Sequence, residues 1–145
     1  LLGEPAPEWT CQDWFNLAEG KESLSLADYK GKLLILTLWA SFDLNGSTQQ
    51  RMQELNYLHE IYKDRDDVAF LSIHDAGLVP NEIDFAVRTA NIRYPVGCDT
   101  KEFETFSAYN VNQIPQTIII DKQGLVKYYE VDIRLHALIK AMLRK

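Results

Sequence analysis

Leu33-Leu34-Ile35-Leu36-Thr37-Leu38-Trp39-Ala40-Ser41 is the stretch on which the fold turns. From Leu33 to Trp39 it is apolar on both faces, as a central strand covered on both sides requires. The longest apolar run ends at Ala40, far short of the ~20 residues a membrane helix needs. It therefore reads as a buried strand and excludes membrane insertion.

Downstream, polar residues intervene before Met52, Leu55, Leu58 and Ile61/Tyr62 recur at helical spacing. Ser47 with Gln50 three residues later fits a capping box and places the helix start near Ser47. Val68 to Ile73 reads as a second buried strand. Pro80 suits the first turn of a helix carrying Ile83, Val87 and Ile92. Tyr94-Pro95-Val96 is a short extended piece, and Phe103 to Tyr109 a short helix. Thr117 to Asp121 and Leu125 to Val131 read as strands joined by Asp121-Lys122-Gln123-Gly124, with Gly where a positive φ is wanted. Ile133, Leu135, Leu138, Ile139 and Met142 form a closing helix.

Upstream, Gly3, Pro5, Pro7, Asn16, Gly20 and Gly31 punctuate residues 1–31, which read as an irregular N-terminal arm packed on the rest. Within it, Ser23-Leu24-Ser25-Leu26 alternates like a short edge strand, and Ala27 to Lys30 is one helical turn stopped by Gly31. The element order implies a parallel βαβ unit, then an antiparallel hairpin and a last helix. The expected fold class is α/β, with a mixed central sheet flanked by helices on both faces. At 145 residues, without repeats, linkers or low-complexity segments, residues 1–145 read as a single domain.

The composition, 46% hydrophobic and 25% charged, is that of an ordinary globular protein. A net charge of −6 with interspersed signs argues against a nucleic-acid partner, which would call for clustered Lys and Arg. His59, His74 and His136 share no ligand spacing with Cys or carboxylates, so no metal site and no cofactor is expected. His74-Asp75 ends a strand where α/β ligands often bind, with surface loop residues as the default reading. The chain begins at Leu1 with no charged-then-apolar leader, which leaves the compartment and any parent chain open.

Several segments in order resemble one family. Gly3-Glu4-Pro5-Ala6-Pro7-Glu8, Leu24 to Lys32, Trp39-Ala40-Ser41, then Tyr109 to Thr117 and Ile120 to Gly124 look like the TlpA/redoxin group of thioredoxin-like proteins, related to peroxiredoxins. The resemblance spans essentially the whole chain. It implies a thioredoxin-like fold with an N-terminal extension, a cis peptide at Pro115 after the apolar Ile114, and an extracytoplasmic leaning. In that family a Cys-x-x-Cys pair opens the first long helix, where the helix dipole and free N–H groups stabilise a thiolate and lower its pKa toward ~7.

Here that pair is missing. Counted back from the helix, its positions are Asn45 and Thr48; counted from Trp39, they are Asp43 and Gly46. No cysteine lies anywhere from residue 12 to 97. Asn45-Gly46-Ser47-Thr48 also resembles the Cys-Gly-x-Thr of glutathione-peroxidase relatives, with an amide where the nucleophile belongs. The same residues fit a turn and helix cap, and Asn45-Gly46-Ser47 matches a glycosylation sequon. The expected binding residues are Trp39, Asn45, Gly46, Ser47, Thr48, Ile114 and Pro115, forming a groove that pairs with an extended polypeptide. Cys11 and Cys98 are the lone thiols. Nothing basic adjoins Cys98 to activate it, which favours a buried small hydrophobe, and a disulfide between the two stays open. The leading expectation is a domain inactive in dithiol exchange that binds a protein or peptide. The alternative is a thiol oxidoreductase or peroxidase working through Cys98 or Cys11.

Overall fold

In the computed structural model, which describes residues 1–42, 46–129, 131–132 and 134–144, Leu33–Trp39 forms β2 with every residue buried. Its two faces serve two cores. Leu33, Ile35 and Trp39 join one apolar cluster, and Leu34, Leu36 and Leu38 join the other. This explains why the run lacks alternation: each face has its own cover.

The first face is covered by three helices. They are α1 (Gly46–Tyr62) through Met52, Leu55 and Leu58, α2 (Pro80–Thr89) through Ile83 and Val87, and α4 (Leu135–Leu143) through Leu135 and Ile139. The second face is covered by α3 (Glu104–Ala108) and the N-terminal arm, through Phe106, Tyr109, Ala6 and Trp9. Around β2 lie β1 (Cys11–Phe15), β3 (Val68–His74), β4 (Val96–Asp99), β5 (Gln116–Ile120) and β6 (Val126–Tyr128). The six strands form one sheet in the order β1-β4-β3-β2-β5-β6. β2–β3 and β3–β4 are parallel, while β1–β4, β2–β5 and β5–β6 are antiparallel. The α/β class with a mixed, doubly covered sheet is the observed architecture.

The N-terminal arm departs from its irregular reading. Residues 11–15 form the edge strand β1, whereas Ser23 to Leu26 is not a strand. Ser25 N and Oγ donate to the Asp28 carboxylate at 2.8 and 3.3 Å, and Leu26 N donates to Glu8 at 2.8 Å. These bonds cap a 3₁₀ turn, Leu26–Tyr29, and take the amides a ladder would need. β1 was hidden because a distant glycine makes room for it. A Cβ on Gly97 would lie 2.7 Å from Cys11 Sγ and 3.1 Å from Trp14. The start of the arm covers the outer edge of β6, with Gly3 N donating to Val126 O at 2.8 Å and Val126 N to Glu4 O at 2.9 Å.

Other boundaries move for local reasons. The short piece at Tyr94–Val96 begins the true strand β4. α1 begins at Gly46, one residue from the start expected near Ser47. β6 stops at Tyr128, and the Tyr129 hydroxyl donates instead to the carbonyls of Tyr109 and Asn110. Ile133, read as part of the last helix, lies outside the described residues. The 121–124 turn forms as read, with Gly124 at φ 87° and Asp121 Oδ1 accepting from Gln123 N and Leu125 N at 3.0 Å.

Candidate functional site

The C-terminal ends of β2 and β3 meet the start of β5 at one end of the sheet. Trp39 pairs with His74, and Leu38 pairs with Gln116, which brings Pro115 level with the end of β2. The Ile114–Pro115 peptide is cis, and both residues are half-buried. Gly46 and Ser47 are exposed at the start of α1, and Thr48 is buried beneath them. Asn45 and Asp43, the leading positions of the two registers, lie outside the described residues. Trp39, expected in the binding groove, belongs to the helix-covered core and also lines a cavity between α1 and α2. It is 3% exposed, and its Nε1 donates to Ser72 Oγ at 3.1 Å.

His74 overturns its surface-loop reading, because it is fully buried with its ring edge-on to Trp39 at 4.8 Å. Ser41 N donates to His74 Nε2 at 2.8 Å, and Ser41 Oγ lies 2.8 Å from the same nitrogen. An amide can only donate, so Nε2 is an acceptor and the ring's hydrogen sits on Nδ1. Nδ1 then donates to the Asp75 carbonyl at 2.6 Å. Burial pushes the His74 pKa below its ordinary value, with the Asp75 carbonyl bond opposing in part. His74 is thus held as one neutral tautomer. Thirty-three residues separate it from Ser41, and only the β2–β3 register joins them.

Beside this pair, between α1 and α2, opens a cavity of about 830 Å³. Its walls include Trp39, Phe42, Met52, Leu78 and Phe85, and Ser41 lies on its lining. Gln49, Gln53 and Asn81 add amides, and Glu82 is its one charged wall residue among those described. No group of three His, Cys, Asp or Glu among the described residues could hold a metal ion. None of the described helices is long and apolar enough to cross a membrane.

The two cysteines sit elsewhere. Cys98 on β4 is fully buried in the helix-covered core, while Cys11 on β1 packs against the opposite one. Both are free. A disulfide between them would have to cross the sheet, so the pairing left open by the sequence is absent. β3 and β2 stand between β4 and β5, which puts Cys98 three strand spacings, ~14 Å, from Pro115's strand, and Cys11 four spacings, ~19 Å. Burial pushes the Cys98 thiol up to about 11, helped by Asp13, and burial with Asp99 pushes Cys11 higher still. Thiolate is the reactive form, so both environments suppress reactivity.

A sheet of this order, with its helices so disposed and a cis-proline at the head of β5, defines the chain as a thioredoxin-like α/β protein. The AhpC/TSA family model matches residues 2–129, and the chain belongs to that family. It is 30% identical over 126 residues to the thiol-disulfide oxidoreductase ResA of Geobacillus thermodenitrificans, covering 87% of this chain and 67% of that protein. The thioredoxin-like protein YneN of Bacillus subtilis is 26% identical over 125 residues, 86% of this chain and 68% of that one. Among solved structures, the thioredoxin-like superfamily protein SPOA0173 superposes with a TM-score of 0.78 at 25% identity, covering 98% of this chain and 97% of that one. A thiol-disulfide oxidoreductase from Bacteroides fragilis superposes with a TM-score of 0.81 at 22% identity, covering 95% and 98%.

Proposed function

We propose that residues 1–145 form one thioredoxin-like module that does not perform dithiol exchange and instead engages a protein or peptide. The groove is formed by the start of α1 (Gly46, Ser47, Thr48) and the Ile114–Pro115 segment. The observation that carries this reading is the placement of sulfur. Both thiols lie at the β1–β4 edge on opposite faces of the sheet, and the start of α1 has none. A helix start without a thiol can lie against a polypeptide carbonyl without attacking it.

Titrating the ¹⁵N-labelled protein with extended peptides tests the binding half. Shifts confined to Ser47, Thr48 and Ile114 support it; an unperturbed groove across a diverse peptide set refutes it. The thiol alternative makes the opposite demand. If Cys98→Ser or Cys11→Ser abolished turnover of a disulfide or peroxide, the alternative would replace the proposal.

A further inference from the structure

We propose that Ser41 and His74 are a nucleophile–base pair that accepts acyl groups from small, uncharged, apolar esters. The geometry matches what an activated serine needs: the hydroxyl in hydrogen-bond reach of an imidazole, and that imidazole oriented by a third group. Ser41 Oγ lies 2.8 Å from Nε2, and the Asp75 carbonyl fixes the ring by accepting from Nδ1 at 2.6 Å. The unprotonated nitrogen therefore faces the serine. His74 is buried and neutral, so it is available as a base near neutral pH.

Access is the second requirement. Ser41 lies on the lining of the 830 Å³ cavity, which is within the range of small-molecule sites. Phe42, Phe85, Met52 and Leu78 offer apolar walls for an acyl chain, and Glu82 at the wall disfavours an anionic substrate.

In the reaction, Oγ attacks the ester carbonyl carbon as its proton passes to Nε2. The C–O bond to the leaving group then breaks, and the alcohol departs with the proton from Nε2. Water, deprotonated by Nε2, attacks the acyl-serine, releasing the carboxylic acid and restoring the hydroxyl. One ester and one water give one acid and one alcohol.

The test is labelling of the folded protein with an alkyl fluorophosphonate, read by intact mass and peptide mapping. One adduct is expected, on Ser41, absent in Ser41→Ala. In His74→Gln the side-chain oxygen still accepts from Ser41 N but cannot take a proton, so a purely structural histidine would be replaced without loss of labelling. The proposal expects labelling in that variant to slow on the order of 100-fold, with an unchanged circular dichroism spectrum. Equal labelling of a folded His74→Gln overturns it. So does an unmodified Ser41 in the wild-type protein under conditions that label a standard serine esterase, a result that needs no variant to fold.

Discussion

Two ends of one sheet treat chemistry in opposite ways. At the β2–α1 junction lie a helix start, a cis-proline segment level with the end of β2 and a neutral histidine bonded to Ser41 on a cavity lining, yet no cysteine is present. At the β1–β4 edge both thiols are present, one on each face, in surroundings that hold them protonated. A cysteine is therefore not a redox centre by virtue of existing in a thioredoxin-like chain. The helix start and the burial at each site decide whether a thiolate can form.

Moving sulfur across the molecule gives the largest expected effect. The double change Asn45→Cys with Thr48→Cys should raise insulin reduction about 100-fold or more, because a Cys-x-x-Cys pair at a helix start gains thiolate stabilisation. Asp43→Cys with Gly46→Cys should gain less if the helix count is the right register. Failure of both pairs would break the comparison, since the junction would then not stabilise thiolate.

Next in size is the inertness of the native thiols. With Cys98 pushed up to about 11, its reaction with Ellman's reagent at pH 8 should be about 100-fold slower in the folded protein than in denaturant. Fast labelling of the native state would contradict the burial argument.

The edge can also be loosened directly. Asp99 is buried, and its carboxylate accepts from Thr100 N and Thr105 N at 2.8 Å and Phe106 N at 3.0 Å, capping α3. Asp99→Ala orphans these donors and should cost about 3 kcal/mol in denaturant unfolding. Gly97→Ala, which drives a methyl onto Cys11 Sγ, should cost about 1–3 kcal/mol. Both should speed thiol labelling in step with the lost stability.

The smallest effect belongs to the buried histidines. Burial lowers the pKa of His74 and His59 below their ordinary 6.5, so the unfolded chain binds those protons more readily. Stability from this source is full above pH 6.5 and declines as pH falls below it. Unfolding midpoints at pH 7 and pH 5.5 should show the loss, and His74→Gln should reduce it.

The fold was legible where apolar residues repeat densely. Leu33–Trp39 announces a doubly covered strand, and Met52, Leu55 and Leu58 announce the helix behind it. Elements fixed by distant partners were not legible. β1 forms because Gly97, far along the chain, leaves space for Cys11 and Trp14. The alternation at Ser23–Leu26 yields to carboxylates from Asp28 and Glu8. The missing sulfur could be read directly, since it is a matter of composition. The Ser41–His74 pair could not, because it depends on the parallel register that sets Trp39 beside His74.

Insulin reduction by the wild-type chain under dithiothreitol bears most directly on this account. The prediction is a rate no faster than the reductant alone. Turnover comparable to a dithiol thioredoxin would contradict it, because one of the two buried edge thiols would then have to act as the nucleophile.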